Sequence, residues 1–289
     1  MREPAEMLGL GPKTGDEMLK TGFTETVHGR ISWADTGSDG PVVVLIHGNS
    51  SCKEIFSQQL VSELSLRYRM IAFDLPGHGQ SSDAPDPTLT YSIHGYADAT
   101  IALLEALGIR QAVIVGWSLG GHVALEMLAR WPGTLAAWIT GTPPAGGADM
   151  GEAFLQSEHM ALTFQESFTP EEARTYAQET VGGRIDLHPW MADAALRADG
   201  RFRPLMLQSV AAGLDVDGRE VAETALQPLA VVSGEKEPFV NNAFLTTVTY
   251  NNLWDGKVHI LEGLAHMPFW EDAARINPLL ERFLDEVTR

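Results

Sequence analysis

A five-residue turn, GWSLG at Gly116–Gly120, limits this chain to few folds. It directly follows the apolar run Ala112–Trp117 and opens a stretch with helical periodicity, Leu119–Arg130. When a strand turns this sharply into a helix, backbone segments approach closely, and glycines leave out the Cβ atoms that would clash. Such a turn raises Ser118 above the edge of a sheet, beside the free N–H groups of a helix N-terminus. The pattern therefore predicts a serine placed for nucleophilic chemistry.

Five further apolar runs predict strands that are buried on both faces of a sheet. They are Val42–Gly48, Met70–Asp74, Leu135–Gly141, Leu229–Gly234 and Lys257–Gly263. Residues 23–35 alternate like a short hairpin. Helical patterns follow at Glu54–Arg67, with Ser51 and Glu54 as a candidate capping box, at Tyr91–Leu107, closed by Gly108, and at Glu271–Val287. Strands that alternate with helices predict an α/β fold with a mostly parallel central sheet flanked by helices.

The domain organisation follows from where the β pattern stops and returns. After the glycine- and proline-rich stretch GTPPAGG, apolar residues recur at helical spacing, and the next buried β run begins at Leu229. We therefore predict an N-terminal extension at residues 1–21, a core at residues 22–144 and 227–289, and an inserted helical cap at residues 145–226. The cap is expected to cover the carboxyl edge of the sheet.

A serine hydroxyl is a weak nucleophile at neutral pH and needs a general base. Hydrolases with this kind of turn carry the acid and then the histidine after the serine in sequence. His266 is the one histidine between the last predicted strand and the final helix, so we expect it to be the base. The acid should follow Gly234, where Glu235 and Glu237 are both candidates. We favour Glu237 because Pro238 fixes the backbone after it, but spacing alone leaves Glu235 open.

The tetrahedral intermediate of acyl transfer needs N–H donors for its oxyanion. We expect one donor from the backbone of Leu119, the residue after the serine, and the other from Asn49, in the turn after Val42–Gly48. Each such donor typically lowers the barrier by about 3–4 kcal/mol. His47 is expected to hold this turn by hydrogen bonds and to take no part in the chemistry.

Composition argues against several other classes of function. The formal net charge is −18 and no basic run is present, so we expect neither nucleic acid nor a membrane surface as a partner. No stretch reaches the roughly 20 apolar residues that a membrane span needs. The single cysteine, Cys52, forbids an internal disulfide and fits a cytoplasmic location. The histidines lack a metal-binding spacing, so we expect no metal. We also expect no cofactor, and a monomer or weak homo-oligomer.

Several longer motifs resemble those of a known family. HGNSS, DLPGHG, YSIHGYADA, GWSLGGHVALEM, ITGTPP, EPFV and NLWDGKVH are similar to N-acyl-homoserine lactonases of the α/β-hydrolase class. The resemblance runs from about Thr21 to the C-terminus and is thinnest in the cap. It implies the α/β-hydrolase fold with an inserted cap, and a glutamate as the acid, which supports Glu237. Dehalogenases and epoxide hydrolases of this class carry an aspartate where this chain has Ser118, so the serine argues against both of those chemistries.

The resemblance also implies a reaction, the opening of the lactone ring of N-acyl-homoserine lactones. Ser118 would attack the lactone carbonyl while His266 takes its proton, and direct activation of water by His266 is the alternative. These lactonases carry a cap tyrosine that reaches the substrate, and Tyr176 occupies the matching place, although an amphipathic helix can equally carry a tyrosine there for packing. We expect Trp117 and Gly48 to contact the substrate as well. The cap residues that could line a groove for the acyl tail are Phe154, Met160, Leu162, Phe164 and Phe168.

Three other functions stay open when the residues are considered alone. The first is a carboxylesterase that acts on other small esters or lactones with the same triad. The second is a hydrolase of C–C bonds, which would want polar cap contacts that the sequence does not reveal. The third is a ligand receptor on a hydrolase scaffold, against which the intact set of Ser118, Glu237 and His266 argues.

Overall fold

The computed structural model describes residues 19–156, 159–183 and 188–289. Residues 1–18, which make up most of the predicted N-terminal extension, lie outside the described residues. The last two residues of that segment are structured, because the first strand begins at Lys20 and pairs Lys20 with Asp35 and Thr21 with Ala34.

Eight strands within the described residues form one sheet in the order β1-β2-β4-β3-β5-β6-β7-β8. They are β1 (Lys20–Thr26), β2 (Gly29–Asp35), β3 (Val42–Ile46), β4 (Arg69–Phe73), β5 (Ala112–Trp117), β6 (Thr134–Thr140), β7 (Leu229–Gly234) and β8 (His259–Leu261). Strands β3 to β8 pair in parallel, whereas β1 and β2 form the expected hairpin and pair antiparallel. The predicted mostly parallel sheet is therefore confirmed.

Helices flank the sheet and fill the segment between β6 and β7. They are Ser57–Leu60, Leu64–Arg67, Pro87–Thr90, Ile93–Ala106, Leu119–Arg130, Met150–Ala153, Pro170–Thr180, Pro189–Arg197, Phe202–Ala211, Gly218–Thr224, Asn242–Leu245, Pro268–Glu271 and Ala273–Val287. Short 3-10 helices lie at Lys53–Phe56, Gly147–Asp149, His159–Phe164 and Trp254–Gly256. None of the helices in the described ranges is both long and apolar enough to cross a membrane.

The central strands are buried on both faces, as their continuous apolar runs predict. In β3, Val44 and Ile46 join one apolar cluster, while Val43 and Leu45 join the other. Successive side chains of a strand point to opposite faces, so the two clusters lie on opposite sides of the sheet. Each fully buried apolar side chain of this size contributes about 1.5–3 kcal/mol, so these strands form a rigid base for the loops at their ends.

The prediction of one continuous helix at Glu54–Arg67 is wrong. The chain instead forms a 3-10 helix followed by two four-residue helices. The break occurs at Ser62, whose hydroxyl donates to the Gln59 carbonyl at 2.7 Å and accepts the Leu64 N–H at 3.3 Å. Serine side chains compete in this way with the helical backbone pattern, and here that competition ends the helix.

The predicted capping box at Ser51 and Glu54 is also wrong. The first turn is capped at Cys52, whose side chain makes no capping hydrogen bond. The carboxylate of Asp74, just after β4, accepts the Lys53 N–H at 2.7 Å. A residue distant in sequence thus satisfies the helix N-terminus, which a local pattern cannot reveal.

The order of the strands determines where loops converge. Strand β3 lies between β4 and β5. After β3 the chain adds β4 on one side of it and then crosses to add β5 on the other side. The loop after β3 and the turn after β5 therefore lie side by side at the carboxyl edge, the place where open α/β sheets bind ligands. The segment between β6 and β7 contacts the same edge: the Arg197 guanidinium donates to the Ser81 carbonyl at 2.7 Å, and Asp199 N–H to the Gly77 carbonyl at 2.8 Å.

Candidate active site

The turn between β5 and the helix Leu119–Arg130 holds Ser118 in an unusual backbone conformation. Its φ is 54° and its ψ is −118°, in the region of positive φ that favours glycine. A Cβ on Gly116 would overlap the Gly120 carbonyl, and a Cβ on Gly120 would overlap the Ile46 carbonyl of β3. Packing between strand, helix and neighbouring strand therefore requires both glycines and keeps the serine partly exposed at the sheet edge.

The loops after β7 and β8 bring a carboxylate and an imidazole together. Both carboxylate oxygens of Glu237 lie 2.8 Å from Nδ1 of His266. The Glu237 side chain is fully buried, and its Oε1 also accepts the Phe239 N–H at 3.0 Å. The His266 carbonyl accepts the indole N–H of Trp117 at 2.9 Å, which fixes the histidine loop to the residue before the serine. Because Nδ1 is engaged by Glu237, Nε2 is the ring nitrogen left for another partner.

The second candidate acid lies in a different place. Glu235 is exposed, and its carboxylate accepts the Gly263 N–H at 2.9 Å. Of the two glutamates that the spacing left open, Glu237 contacts the histidine, and no contact of Glu235 with His266 is found among the described residues.

The loop after β3 contains Asn49, and every polar group of its side chain is used. Its Nδ2 donates to the Thr163 carbonyl at 2.9 Å, and its Oδ1 accepts the Ser50 hydroxyl at 2.5 Å. Its carbonyl accepts the Tyr176 hydroxyl at 3.3 Å. By contrast, the backbone N–H groups of Asn49 and Leu119 donate to no acceptor in the part of the chain that the structure describes. Two free N–H donors, one from each neighbouring loop, are what an oxyanion site requires.

His47 holds the same loop by hydrogen bonds, as expected. Its Nδ1 donates to the Gly48 carbonyl at 2.8 Å, and its Nε2 accepts the Leu75 N–H at 3.0 Å. Complete burial lowers the pKa of His47, so the ring stays neutral and can both donate and accept. The loop is thereby tied to the end of β4.

Arg203 is a structural residue of the site that the sequence analysis missed. It is 1% exposed, and its guanidinium donates to the Ser50 hydroxyl at 2.6 Å and to the Gln165 and Glu166 carbonyls at 3.0 and 3.2 Å. It also lies 4.2 Å from the ring centroid of Phe168. Burial lowers the pKa of Arg203. One side chain thus joins the segment between β6 and β7 to the residue next to Asn49.

A cavity of about 350 Å³ opens at these residues and is called the main cavity because Ser118 and His266 line it. Its wall includes Ser118, His266, Asn49, Leu119 and Tyr176. Of the five cap residues that could line a groove for an acyl tail, three line this cavity and two do not. Phe154, Met160 and Phe164 line the cavity, whereas Leu162 and Phe168 pack beside Tyr176.

Two of the residues expected to contact substrate lie behind the cavity wall. Within the described residues, Gly48 and Trp117 are not part of the lining of the main cavity. A Cβ on Gly48 would lie 2.9 Å from the indole of Trp117 and 3.0 Å from the Ser118 Cβ. Both residues therefore hold the serine turn and the loop after β3 in close contact.

One group of potential metal ligands is found among the described residues: Cys52, Glu54 and Asp74. The ammonium of Lys53 lies 2.8 Å from the Asp74 carboxylate and 3.1 Å from that of Glu54. Burial alone would lower the pKa of Lys53, but the two carboxylates outweigh it and raise the pKa. Burial raises the pKa of the Cys52 thiol, which disfavours the thiolate that binds metals. The group is best described as a buried ion pair beneath the loop.

Comparison with solved structures gives matches over nearly the whole chain. Structures of the N-acyl homoserine lactonase AidH are 40% identical, with TM-scores of 0.91 and 0.90; they cover 93–94% of this chain and 98% of their own. One is complexed with N-butanoyl homoserine, and one mutant is complexed with N-hexanoyl homoserine. A mutant with glycine in place of a serine is complexed with N-hexanoyl homoserine lactone.

Two relatives found by sequence are less similar to this chain than those structures are. An uncharacterized protein of Mycobacterium bovis is 30% identical over 282 residues, 90% of this chain and 80% of the relative. A 2-hydroxy-6-oxononadienedioate/2-hydroxy-6-oxononatrienedioate hydrolase of a Pseudomonas species is 24% identical over 277 residues, 89% of this chain and 93% of the relative.

A family model extends across the sheet and the site. The model described as the alpha/beta hydrolase family matches residues 43–279, which run from β3 into the last helix and include the serine, the glutamate and the histidine. The strand order and the strained serine turn agree with this match. The chain therefore belongs to the alpha/beta hydrolase family.

Proposed function

We propose that this protein opens the lactone ring of N-acyl-homoserine lactones by nucleophilic acyl transfer. The observation that carries the proposal is the contact between Glu237 and His266 at the wall of the same cavity as Ser118. A serine, an imidazole and a buried carboxylate in this order form the set that activates a serine hydroxyl.

The substrate class is supported by the solved neighbours and by the shape of the cavity. The 40% identical AidH structures hold acyl homoserines or an acyl homoserine lactone, and an acyl homoserine is the ring-opened form of that lactone. The wall of the main cavity is mainly apolar and includes Ile93, Met150, Phe154, Met206 and Val210. An acyl chain is apolar, so a wall of this kind suits it.

In the mechanism that we propose, Ser118 Oγ attacks the lactone carbonyl carbon while His266 Nε2 takes the hydroxyl proton. The negative charge that develops on the carbonyl oxygen is stabilised by the N–H groups of Asn49 and Leu119. His266 then gives the proton to the ring oxygen as the C–O bond breaks. Water, activated by His266, hydrolyses the resulting ester on Ser118 and releases the acyl homoserine. Glu237 holds the imidazole with Nδ1 protonated and stabilises its charged form.

Tyr176 is proposed to support the oxyanion loop and to contact the substrate. Its hydroxyl donates to the Asn49 carbonyl, and its ring forms part of the main cavity wall. Burial raises the pKa of Tyr176, so the hydroxyl keeps its proton and remains a donor. Gly48 and Trp117 are proposed to act on the substrate through the positions of Asn49 and Ser118.

The test is turnover of N-acyl-homoserine lactones of graded acyl length, followed by proton release in weak buffer. We expect the wild-type protein to open them and Ser118→Ala to lose at least about a thousandfold in kcat while keeping its unfolding midpoint. A mass increase equal to that of the lactone on wild-type protein stopped during turnover would identify the acyl-enzyme route. Unchanged activity in Ser118→Ala would refute the mechanism. Turnover of simple esters without that of acyl lactones would instead indicate a general carboxylesterase.

We further propose the division into an extension at residues 1–21, a core at 22–144 and 227–289, and a cap at 145–226. The contacts of Thr163, Tyr176 and Arg203 with the loop after β3 support a covering role for the cap. We also propose that the protein acts in the cytoplasm as a monomer or weak homo-oligomer. The single, buried Cys52 supports this location, because a reducing compartment favours free thiols.

A further inference from the structure

One face of the helix Leu119–Arg130 forms a wall of the main cavity. Ser118, at its start, lines the cavity together with His122 and Leu125. Residues at these spacings of four and seven positions lie on one side of a helix. At 1.5 Å per residue, His122 lies about 6 Å and Leu125 about 10 Å along the helix axis from Ser118. Counted from the N-cap Ser118, this ideal rise gives an approximate scale for a substrate chain that extends from the serine along the helix.

His122 is a polar residue in a mainly apolar part of this wall. Its ring lies 6.3 Å from that of Phe154, which lines the same cavity. The His122 side chain is partly exposed to the cavity, and no hydrogen bond of either ring nitrogen is found among the residues that the structure describes. Burial lowers the pKa of His122 to about 4, with no charged neighbour contributing, so the imidazole is neutral near pH 7. A neutral imidazole carries one N–H donor and one acceptor nitrogen.

The position of His122 corresponds to a particular atom of an acyl lactone. When the lactone carbonyl carbon lies at Ser118, the third acyl carbon is five covalent bonds away. In an extended chain with bonds of about 1.5 Å, that separation is roughly 6 Å. This is close to the roughly 6 Å rise along the helix from Ser118 to His122, so an acyl chain that follows this wall would place its later carbons at the apolar Leu125.

We propose that His122 selects acyl lactones that carry a hydrogen-bonding oxygen, a carbonyl or a hydroxyl, on the third acyl carbon. The inference rests on the proposed function and names the preferred substrates of that same site. The imidazole donates to a carbonyl oxygen or accepts from a hydroxyl group. A substrate with a plain methylene there leaves the imidazole N–H without a partner in a desolvated wall, which is unfavourable. A purely packing role for His122 would give no such preference, because phenylalanine would fill the same space.

The experiment compares N-(3-oxohexanoyl)- with N-hexanoyl-homoserine lactone, two probes that differ only at the third acyl carbon. The readout is the ratio of their kcat/KM values. We expect the wild-type protein to favour the 3-oxo lactone roughly 3- to 10-fold, the equivalent of one net hydrogen bond. His122→Phe is expected to bring the ratio to about 1, and His122→Gln, which keeps a donor and an acceptor, to retain a preference. Leu125→Ala is the matched control, because it enlarges the same wall and should leave the ratio unchanged while both rates change together.

The outcomes separate this inference from the proposed function. If the wild-type protein opens neither lactone, the proposed function fails and the inference fails with it. If it opens both with a ratio near 1, or if His122→Phe keeps the wild-type ratio, the inference alone is overturned. If His122→Phe fails to fold, the ratios of the wild-type protein and of His122→Gln decide. A preference for the 3-oxo lactone in both proteins supports the proposal. If His122→Gln loses that preference but still opens N-hexanoyl-homoserine lactone, the proposal is overturned.

Discussion

Replacement of Glu237 by glutamine tests the triad most directly, because it changes a charge and almost no volume. In the structure, Oε1 accepts the Phe239 N–H while both oxygens lie 2.8 Å from Nδ1 of His266. A glutamine that keeps its oxygen on Phe239 must direct its NH₂ group at Nδ1. The imidazole proton would then move to Nε2, and that nitrogen could no longer take the proton of Ser118.

The size of the effect follows from the lost charge. Two unit charges about 4 Å apart interact by about 4 kcal/mol at the effective dielectric constant of a protein site. Glu237→Gln removes this stabilisation of the imidazolium in the transition state, so kcat should fall about a thousandfold. Glu235→Gln is the matched control: the residue is exposed, and an amide oxygen can still accept the Gly263 N–H, so kcat should change less than about twofold.

The assay is the initial rate of proton release from N-hexanoyl-homoserine lactone, with urea unfolding of both variants to confirm that they fold. The reasoning would be refuted if Glu237→Gln kept more than a tenth of the wild-type kcat. A larger loss in Glu235→Gln than in Glu237→Gln would reassign the acid.

Three further changes probe the surroundings of the triad. Tyr176→Phe removes the hydroxyl that donates to the Asn49 carbonyl, so kcat/KM should fall roughly 3- to 10-fold with little change in the free energy of unfolding; an unchanged kcat/KM would contradict the supporting role. Arg203→Met leaves the Ser50 hydroxyl and two carbonyls without their donor, which destabilises the fold. Part of this destabilisation is offset because the variant no longer buries a cation. The free energy of unfolding in urea should fall by about 2 kcal/mol, and an increase would show that the buried charge was the larger effect. His122 has a folded pKa of about 4 against an ordinary 6.5, so the unfolded chain binds its proton first as the pH falls and stability is lost from pH 6.5 downward to 4. Between pH 7 and pH 5 this group should lower the free energy of unfolding by about 2 kcal/mol, and His122→Gln should remove that part of the pH dependence; identical slopes in both proteins would argue against it.

The sequence was most informative where one local pattern decided the structure. The apolar run Ala112–Trp117 and the helix Leu119–Arg130 have the same bounds in the structure as in the prediction. Here the glycines, the apolar strand and the proline after Trp131 all act within a few residues of the chain. The helical patterns at Tyr91–Leu107 and at the C-terminus also yielded helices, with ends that differ by at most two residues.

Prediction failed where a distant residue or a side chain's competition with the backbone decided the outcome. Ser62 interrupts a helix whose apolar spacing alone suggested continuity, and Asp74, just after β4, replaces the cap that Ser51 was expected to supply. Arg203 gave no signal, because an arginine in a helical stretch is normally exposed. Only the folded chain reveals the carbonyls and the hydroxyl that make its burial tolerable.

The backbone of Ser118 has a consequence for how this protein can evolve. A residue with a side chain held at a φ of 54° destabilises the folded state by about 1–3 kcal/mol, and glycine would relieve most of that strain. Selection for stability alone would therefore favour glycine at this position, although glycine has no hydroxyl to act as a nucleophile. Selection for turnover and selection for stability therefore act in opposite directions at this one position, and the serine in this chain is the residue that allows turnover.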